Sequence, residues 1–384
     1  MEQIFLMTIA ISLLLIFLLI SKIKTKPANI FLASLLLIVV LNEIVNIIII
    51  RRAFGGFYYF LNIVNATPVL IGVLSYFYVK TITKQTKSFK LLNLLHLIPF
   101  IIALFVSFYS YSINNNNVFL NAFLDIFLNN IVSLVYIIAA LINLRKYKKN
   151  ILNNFSYIEN IDNKWLILFI KIEFVVWLIY LFMISAIYLG ILVHDEANLY
   201  INLSITVFIF LISFHGLRNS SVFSSIDFDS NIITPEVKSE FLEIRDNTNT
   251  SEFENMVFIK KETISESDTQ ALENNFKELK EYLEVKKPFL QEKITIQELS
   301  NQSNISVKLI SEIIKTKFKT TYFDLINSYR IEYFKKEILA PENESFSILG
   351  VAYNCGFSSK SAFNRAYKKH TNTTPSEFVK LHKK

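Results

Sequence analysis

Seven apolar runs, at 4–20, 28–50, 57–79, 91–111, 118–144, 165–192 and 199–217, fill most of the first 218 residues of this 384-residue chain. A helix needs roughly 20 such residues to cross about 30 Å of hydrocarbon, and all seven reach that length, the first only just. They are apolar on every face, which excludes a soluble helical core whose surface helices keep a polar side. Lipid leaves no backbone N–H or C=O a partner outside its own segment, so runs of this kind cross as helices. The sequence therefore predicts an all-α protein that begins with a seven-helix transmembrane bundle over 1–218.

The first run is not preceded by positive charge, no small-x-small cleavage site follows it, and Lys22, Lys24 and Lys26 come instead. That flank reads as a retained span rather than a signal peptide. Orientation follows from the connections. Lys22, Lys24 and Lys26 lie in the first, Lys80, Lys84, Lys87 and Lys90 in the third, and Arg145, Lys146, Lys148, Lys149 and Lys164 in the fifth. The even connections hold only Arg51 and Arg52, then an uncharged Asn-rich loop, then two acids. The positive-inside bias puts the odd connections in the cytoplasm. An odd number of spans then leaves the amino end outside and everything after Arg218 inside, in a multi-pass protein of the inner (cytoplasmic) membrane.

The spans carry polar residues near their outer ends: Asn42, Glu43 and Asn46 in the second, Asn62 and Asn65 in the third, Asn121, Asp125 and Asn129 in the fifth, and Asn198 and Asn202 in the seventh. Several recur at four-residue steps and so share a face. One reading is an outward pocket for an unknown signal ligand, lined by Asn42, Glu43, Asn46, Asn62, Asn65, Asn121, Asp125 and Asn129. The other is interhelical hydrogen bonding within an Asn-rich bundle. His194, Asp195 and Glu196 read as a solvated loop rather than a metal site. Pro68 and Pro99 are candidate kinks.

Charge divides the chain in three. Up to Arg218 there are 16 Lys/Arg against 8 Asp/Glu, from Asn219 to Glu284 there are 6 against 15, and from Val285 to the end there are 17 against 9. An acidic connector thus separates two basic parts, and the second basic part is the one placed to meet a polyanion. Residues 219–268 lack helix or strand periodicity and read as a flexible acidic linker, with a reach of roughly 40 Å as a coil. Over 269–288, Leu272, Phe276, Leu279 and Leu283 form an amphipathic stripe that ends at Pro288. That stripe suits a homodimer seam or docking on the domain that follows.

Residues 289–384 repeat one pattern twice. First comes a short helix over 295–303 with Ile296 and Leu299 inward, a turn at Asn304 and Ile305, and a second helix capped by Ser306. Then comes a short helix over 347–355, a turn at Gly356 and Phe357, and a helix capped by Ser358 or Ser359. Asn and Gly are the residues that most readily adopt the positive φ of such turns. Both units read as helix-turn-helix motifs. With Ile310, Ile313 and Ile314 inward, the first leaves Lys308, Ser311, Glu312 and Lys315 outward. With Phe363, Ala366 and Tyr367 inward, the second leaves Lys360, Ser361, Asn364, Arg365 and Lys368 outward, next to the cap Ser359. Arg and Lys pair with guanine and Asn with adenine in the major groove of double-stranded DNA, and the remaining cations neutralise phosphate. Cys355, the sole cysteine, falls on an apolar face and reads as a core thiol.

The stretch "GFSSKSAFNRAYKKHTNTTPSEF" resembles the AraC/XylS-type transcription regulators, in its Gly-Phe turn, its Phe-x-Arg-x-(Phe/Tyr)-Lys-Lys core and its Thr-Pro-x-x-(Phe/Tyr) close. The resemblance covers about the last 100 residues. It implies two helix-turn-helix subdomains joined by a long helix, here over 322–339, each reading one of two adjacent major-groove segments of an operator. It places Lys308, Ser311 and Glu312, and Lys360, Ser361, Asn364 and Arg365, at the DNA. Glu312, Lys319 and Asn304 depart from the usual Arg, Gly and Gly, and a glutamate repels phosphate, so the second unit is expected to carry more of the affinity.

The function expected is that of a membrane-anchored one-component transcription regulator. The alternative is a transporter or channel with a nucleic-acid-binding tail, which would call for repeats or matched broken helices. No internal repeat is present, and only Gly72, Gly190 and Gly216 interrupt the spans and their junction with the tail. No phosphate loop, kinase motif or Ser/His/acid signature points to an enzyme, and no cofactor is expected.

Overall fold

The computed structural model describes residues 2–51, 60, 63, 64, 66–84, 91–112, 123–158, 164–218 and 266–382. The connector read as a flexible linker lies almost wholly outside the described residues. The protein is all-helical: apolar helices come first and a helical C-terminal region follows. The only extended pairing among the described residues is an isolated antiparallel bridge between Phe155 and Thr295. The chain divides into two compact units, Met1–Tyr147 with Asn163–Phe228, and Lys148–Asp162 with Asp229–Lys384.

The first unit contains α1 (Glu2–Ile20), α2 (Asn29–Ile50), α3 (Val69–Lys84), α4 (Ile98–Ser112), most of α5 (Ser133–Asn154), whose end from Lys148 belongs to the second unit, α6 (Lys164–Tyr188) and α7 (His194–Arg218). A 3₁₀ stretch, Leu91–Leu97, leads into α4, and a π-helical stretch, Phe123–Val132, into α5. Six helices among the described residues are long and apolar enough to cross a membrane. The run at 57–79 differs, because much of its first half lies outside the described residues and a turn at Thr67 and Pro68 delays α3 to Val69. Pro99 falls where the 3₁₀ stretch passes into α4.

Polarity is distributed in the reverse of a water-soluble fold. Thr8, Ser12, Asn29, Glu43, Ser75 and Asn202 are buried, whereas Phe17, Phe105 and Phe182 point outward at 70%, 71% and 66% exposure. Some of the buried polar groups join helices. The hydroxyls of Thr8 and Thr206 meet at 2.6 Å between α1 and α7. Asn29 Nδ2 donates to the Leu19 carbonyl across the α1–α2 turn at 3.3 Å. Gly72 lets α3 pass close to the start of α5: a Cβ there would sit 2.9 Å from Ser133 Cα.

The second unit contains α8 (Glu266–Lys286), α9 (Ile296–Ser303), α10 (Val307–Ile313), α11 (Tyr322–Glu337), α12 (Ile348–Asn354), α13 (Lys360–Thr371) and α14 (Pro375–His382). Two apolar cores lie along α11. Tyr322, Leu325 and Ile326 of its first half pack with α8, α9 and α10, while Ile331 and Phe334 of its second half pack with α12 and α13. The stripe on α8 belongs to the first of these cores. Leu279 and Leu283 are fully buried, Leu272 and Phe276 pack beside them, and the Phe276 ring stands edge-on to Phe318 at 5.3 Å. This corrects the dimer-seam reading of Leu272, Phe276, Leu279 and Leu283, since a face filled within the chain is not open to a second copy.

Between the two cores sits Arg330, 2% exposed. Its Nε donates to the Phe289 carbonyl at 2.7 Å, and its Nη2 donates to the Gln291 and Glu292 carbonyls at 2.7 and 3.1 Å. Its guanidinium also lies over the Phe357 ring, 5.7 Å from the centroid. Burial lowers its pKa to about 10, which leaves it charged at neutral pH. Gly356 closes the arrangement. It has φ +88°, and a Cβ would fall 2.6 Å from the Phe289 carbonyl oxygen and 3.0 Å from Arg330 Nε. Gly356→Ala should therefore destabilise the second unit by about 3–5 kcal/mol, from strain and overpacking together. Arg330→Met should cost a similar amount by leaving three buried carbonyls unpaired. Hydrogen exchange on the full chain would register both as lost amide protection across 322–371.

Candidate nucleic-acid interface

The first helix-turn-helix forms where the caps dictate. The Thr295 hydroxyl accepts from the Glu298 N–H while the Glu298 carboxylate accepts from the Thr295 N–H, a capping box that opens α9. Asn304 ends α9 at φ +58°, and Ser306 caps α10 by accepting from the Leu309 N–H at 3.4 Å. Ile310, Ile313 and Ile314 are buried, and Lys308, Ser311, Glu312 and Lys315 are exposed. Lys315 lies one step past α10, in a π-helical turn, Ile314–Phe318, that closes on Lys319 at φ +51°. Left-handed backbone is easy for Gly and costly for a side-chain-bearing residue, so Lys319 takes the conformation without the residue best suited to it. Lys317 pairs with Glu273 of α8 on the same subdomain.

The second unit repeats the plan with a tighter turn. Ser347 caps α12 through the Gly350 N–H at 3.0 Å, Gly356 and Phe357 turn the chain, and Ser359 rather than Ser358 caps α13 by accepting from the Ala362 N–H at 3.1 Å. Phe363, Ala366 and Tyr367 are buried against α11, with the Phe334 and Phe363 ring centroids 4.7 Å apart. Lys360, Ser361, Asn364, Arg365 and Lys368 are exposed along the opposite side of α13. Lys369 contacts Asp324 Oδ1 at 2.5 Å, tying α13 to the start of α11. Cys355 is buried in the second core and its thiol is pushed up to about 12, which leaves it unreactive at neutral pH.

The polar set of the first unit is arranged differently. Asn42 Nδ2 donates to the Ile38 carbonyl at 2.9 Å and to Thr67 Oγ1 at 3.1 Å. Asn46 Nδ2 reaches Glu43 Oε2 at 3.4 Å and Asn202 Oδ1 at 3.2 Å, joining α2 to α7. Asn129 is buried in the π-helical stretch. Asn62, Asn65 and Asn121 lie outside the described residues, as does the side chain of Asp125. Asn42 and Asn46 are thus bonded to other elements, while the buried Glu43 bonds Asn46 within α2. A groove of about 640 Å³ between α6 and α7, lined by Val175, Ile179, Val207 and Leu211 among others, includes none of the eight residues predicted to hold a ligand. No group of three or more His, Cys, Asp or Glu side chains among the described residues is placed to hold a metal.

Two features of the second unit were not anticipated. Arg330 interrupts a stripe of Ile326, Phe334 and Ile338 at four-residue steps, a signal of a buried guanidinium that the pattern did contain. The segment after α5 packs into the same unit, and nothing in its loop-like sequence announces this.

Two short helical pairs, each ending in a helix with an exposed polar and basic side and held on one long helix, define a double helix-turn-helix domain. Residues 299–380 match the family described as Helix-turn-helix domain. The probable transcription factor PqrA of Proteus vulgaris is 33% identical over 87 residues, covering 23% of this chain and 69% of that protein. No solved structure matches the chain significantly. Through its C-terminal region the chain belongs to the AraC-type helix-turn-helix family of DNA-binding regulators.

On the expectation that α13 enters the major groove, its exposed stripe separates base contacts from phosphate contacts. Arg365→Ala is expected to weaken operator binding by about 1–3 kcal/mol and relax preference at one base pair, whereas Lys368→Ala should weaken binding evenly across sequences and reduce the salt slope by about 1. Titrations of operator and scrambled duplexes against the full chain at several salt concentrations distinguish these outcomes.

Proposed function

We propose that this protein is a membrane-anchored transcription regulator. In this reading, Ser359, Lys360, Ser361, Asn364, Arg365 and Lys368 of the second helix-turn-helix, with Lys308, Ser311, Glu312 and Lys315 of the first, contact adjacent major-groove segments, and the first 218 residues sit in the cytoplasmic membrane and sense a signal. The observation that carries it is the coexistence in one chain of a helix-turn-helix domain and a helical unit with its polar groups inside and its large apolar side chains outside. An outward apolar surface of that extent is stable in lipid and a liability in water.

One local fact supports the orientation. The Lys148–Asp162 connection, assigned to the cytoplasm by its charge, belongs to the same compact unit as the DNA-binding domain. Two segments of one compact unit lie on one side of a bilayer. Asn46 and Asn202, with Glu43 beside them on α2, are the natural place for a signal to act, because the Asn46–Asn202 hydrogen bond joins α2 to α7, the helix that leads to the connector. A ligand acts there only by favouring one packing of those helices over another.

The tests separate location from activity. A reporter active only in the cytoplasm should work when fused after Arg218 and fail when inserted at 114–117; the reverse pattern contradicts the orientation. Genome-wide DNA capture with the full chain should recover discrete promoter sites whose genes change expression when this gene is deleted. Recovery of no enriched sites would favour a transport protein with a tail.

A further inference from the structure

The four residues that follow α5, Phe155–Ile158, lie within the DNA-binding unit although the sequence places them between two apolar helices. Phe155 forms the antiparallel bridge with Thr295, and the Ser156 N–H donates to the Ile294 carbonyl at 3.3 Å, so the segment lies along the chain just ahead of α9. Ser156 is 1% exposed. Its carbonyl accepts from Asn327 Nδ2 and Arg330 Nη1, and its hydroxyl accepts from Arg330 Nη2, all at 3.4 Å. Tyr157 stands edge-on to Phe155 at 5.9 Å, and burial near Glu298 raises its phenol above the ordinary tyrosine range. Beyond Ser156, Tyr157 and Ile158 line a notch with Phe323, Phe357, Ala362 and Arg365.

Two properties of this contact point the same way. It is the weaker part of the Arg330 environment: the bonds from Arg330 to the carbonyls of Phe289, Gln291 and Glu292 run from 2.7 to 3.1 Å, and those to Ser156 are at 3.4 Å. Arg330 therefore keeps its principal partners if the segment leaves, and water can replace the long bonds at little cost. The contact also lies against α13, because Arg365, on the face assigned to the major groove, shares the notch with Tyr157 and Ile158. A duplex docking on that face needs the volume beside Arg365.

We propose that Phe155–Ile158 are an internal inhibitory ligand of the DNA-binding unit: docked between α11 and the turn before α13 they obstruct the duplex, and their withdrawal by the membrane helices on either side permits binding. The inference rests on the reading of α13 as the DNA-contacting helix. Coupling then needs no rigid transmission through the acidic connector. The inhibitory segment is continuous with α5, so a change in the membrane helices reaches the notch through a covalent path of a few residues.

The experiment uses the full chain in lipid nanodiscs and an operator recovered by DNA capture. Replacing Phe155, Ser156 and Tyr157 together by glycine should raise operator affinity about tenfold or more, the shift expected when an inhibited state that dominates the population is removed. In a second variant, Tyr157→Cys with Phe323→Cys, a short bismaleimide should join the two positions; buried Cys355 does not compete. The joined protein should bind the operator at least about tenfold more weakly than the same variant left unjoined, and added operator should reduce the yield of joining. Equal affinity of joined and unjoined protein, or weaker binding by the glycine variant, overturns the inhibitory role while leaving the regulator reading intact. If neither wild type nor either variant distinguishes the operator from a scrambled duplex, the DNA reading of α13 fails, and this inference with it.

Discussion

The DNA-binding unit depends on a buried positive charge. Arg330 has no carboxylate bonded to it; its guanidinium is satisfied by main-chain carbonyls of the turn at 289–292, by Asn327 Oδ1 at 3.3 Å and by the face of Phe357. A guanidinium suits this place because its rigid fork donates in several directions at once and is more weakly hydrated than an ammonium. Hydrogen bonds to a charged donor are roughly twice as strong as neutral ones, and removing the donor leaves several buried acceptors unpaired together. The two cores along α11 share few side chains, so Arg330 with Gly356 makes the second turn register on the segment that precedes the first helix-turn-helix. The helices α10 and α13 are held in this way at one spacing.

The first unit is built by a different rule. Its helices are joined by small residues such as Gly72 and by hydrogen bonds such as Thr8 to Thr206 and Asn46 to Asn202, the pattern expected of helices packed in lipid. The Asn and Thr residues that would be unremarkable on a soluble surface become the specific contacts here. Bonds of this kind are individually weak and exchangeable.

Much of the DNA-binding unit was legible because short-range chemistry determined it. Thr295, Asn304, Ser306, Ser347, Gly356 and Ser359 are caps and turns whose side chains or φ values act on their immediate neighbours, and the inward faces of α10 and α13 follow from a 3.6-residue period. What was illegible depended on distant partners. An apolar stripe on α8 looks the same whether it faces a second copy or its own domain, and only the buried positions of Leu279 and Leu283 decide between them. Phe155–Ile158 is a short aromatic and apolar stretch between polar residues, with no period to say what it packs on, and its partner Asn327 is 171 residues from Ser156. Pro68 and Pro99 were equally plausible kinks in sequence. The surrounding backbone put one in a turn and the other at the passage from 3₁₀ to α-helix.

The central claim is that the two helix-turn-helix units act as one rigid reader. A hydroxyl-radical footprint of the full chain on a captured operator tests it most directly. The account predicts two protected tracts on one face of the duplex, about one helical turn of 10–10.5 base pairs apart, that appear together at the same protein concentration. A single protected tract, or two that fill at separate concentrations, would contradict it.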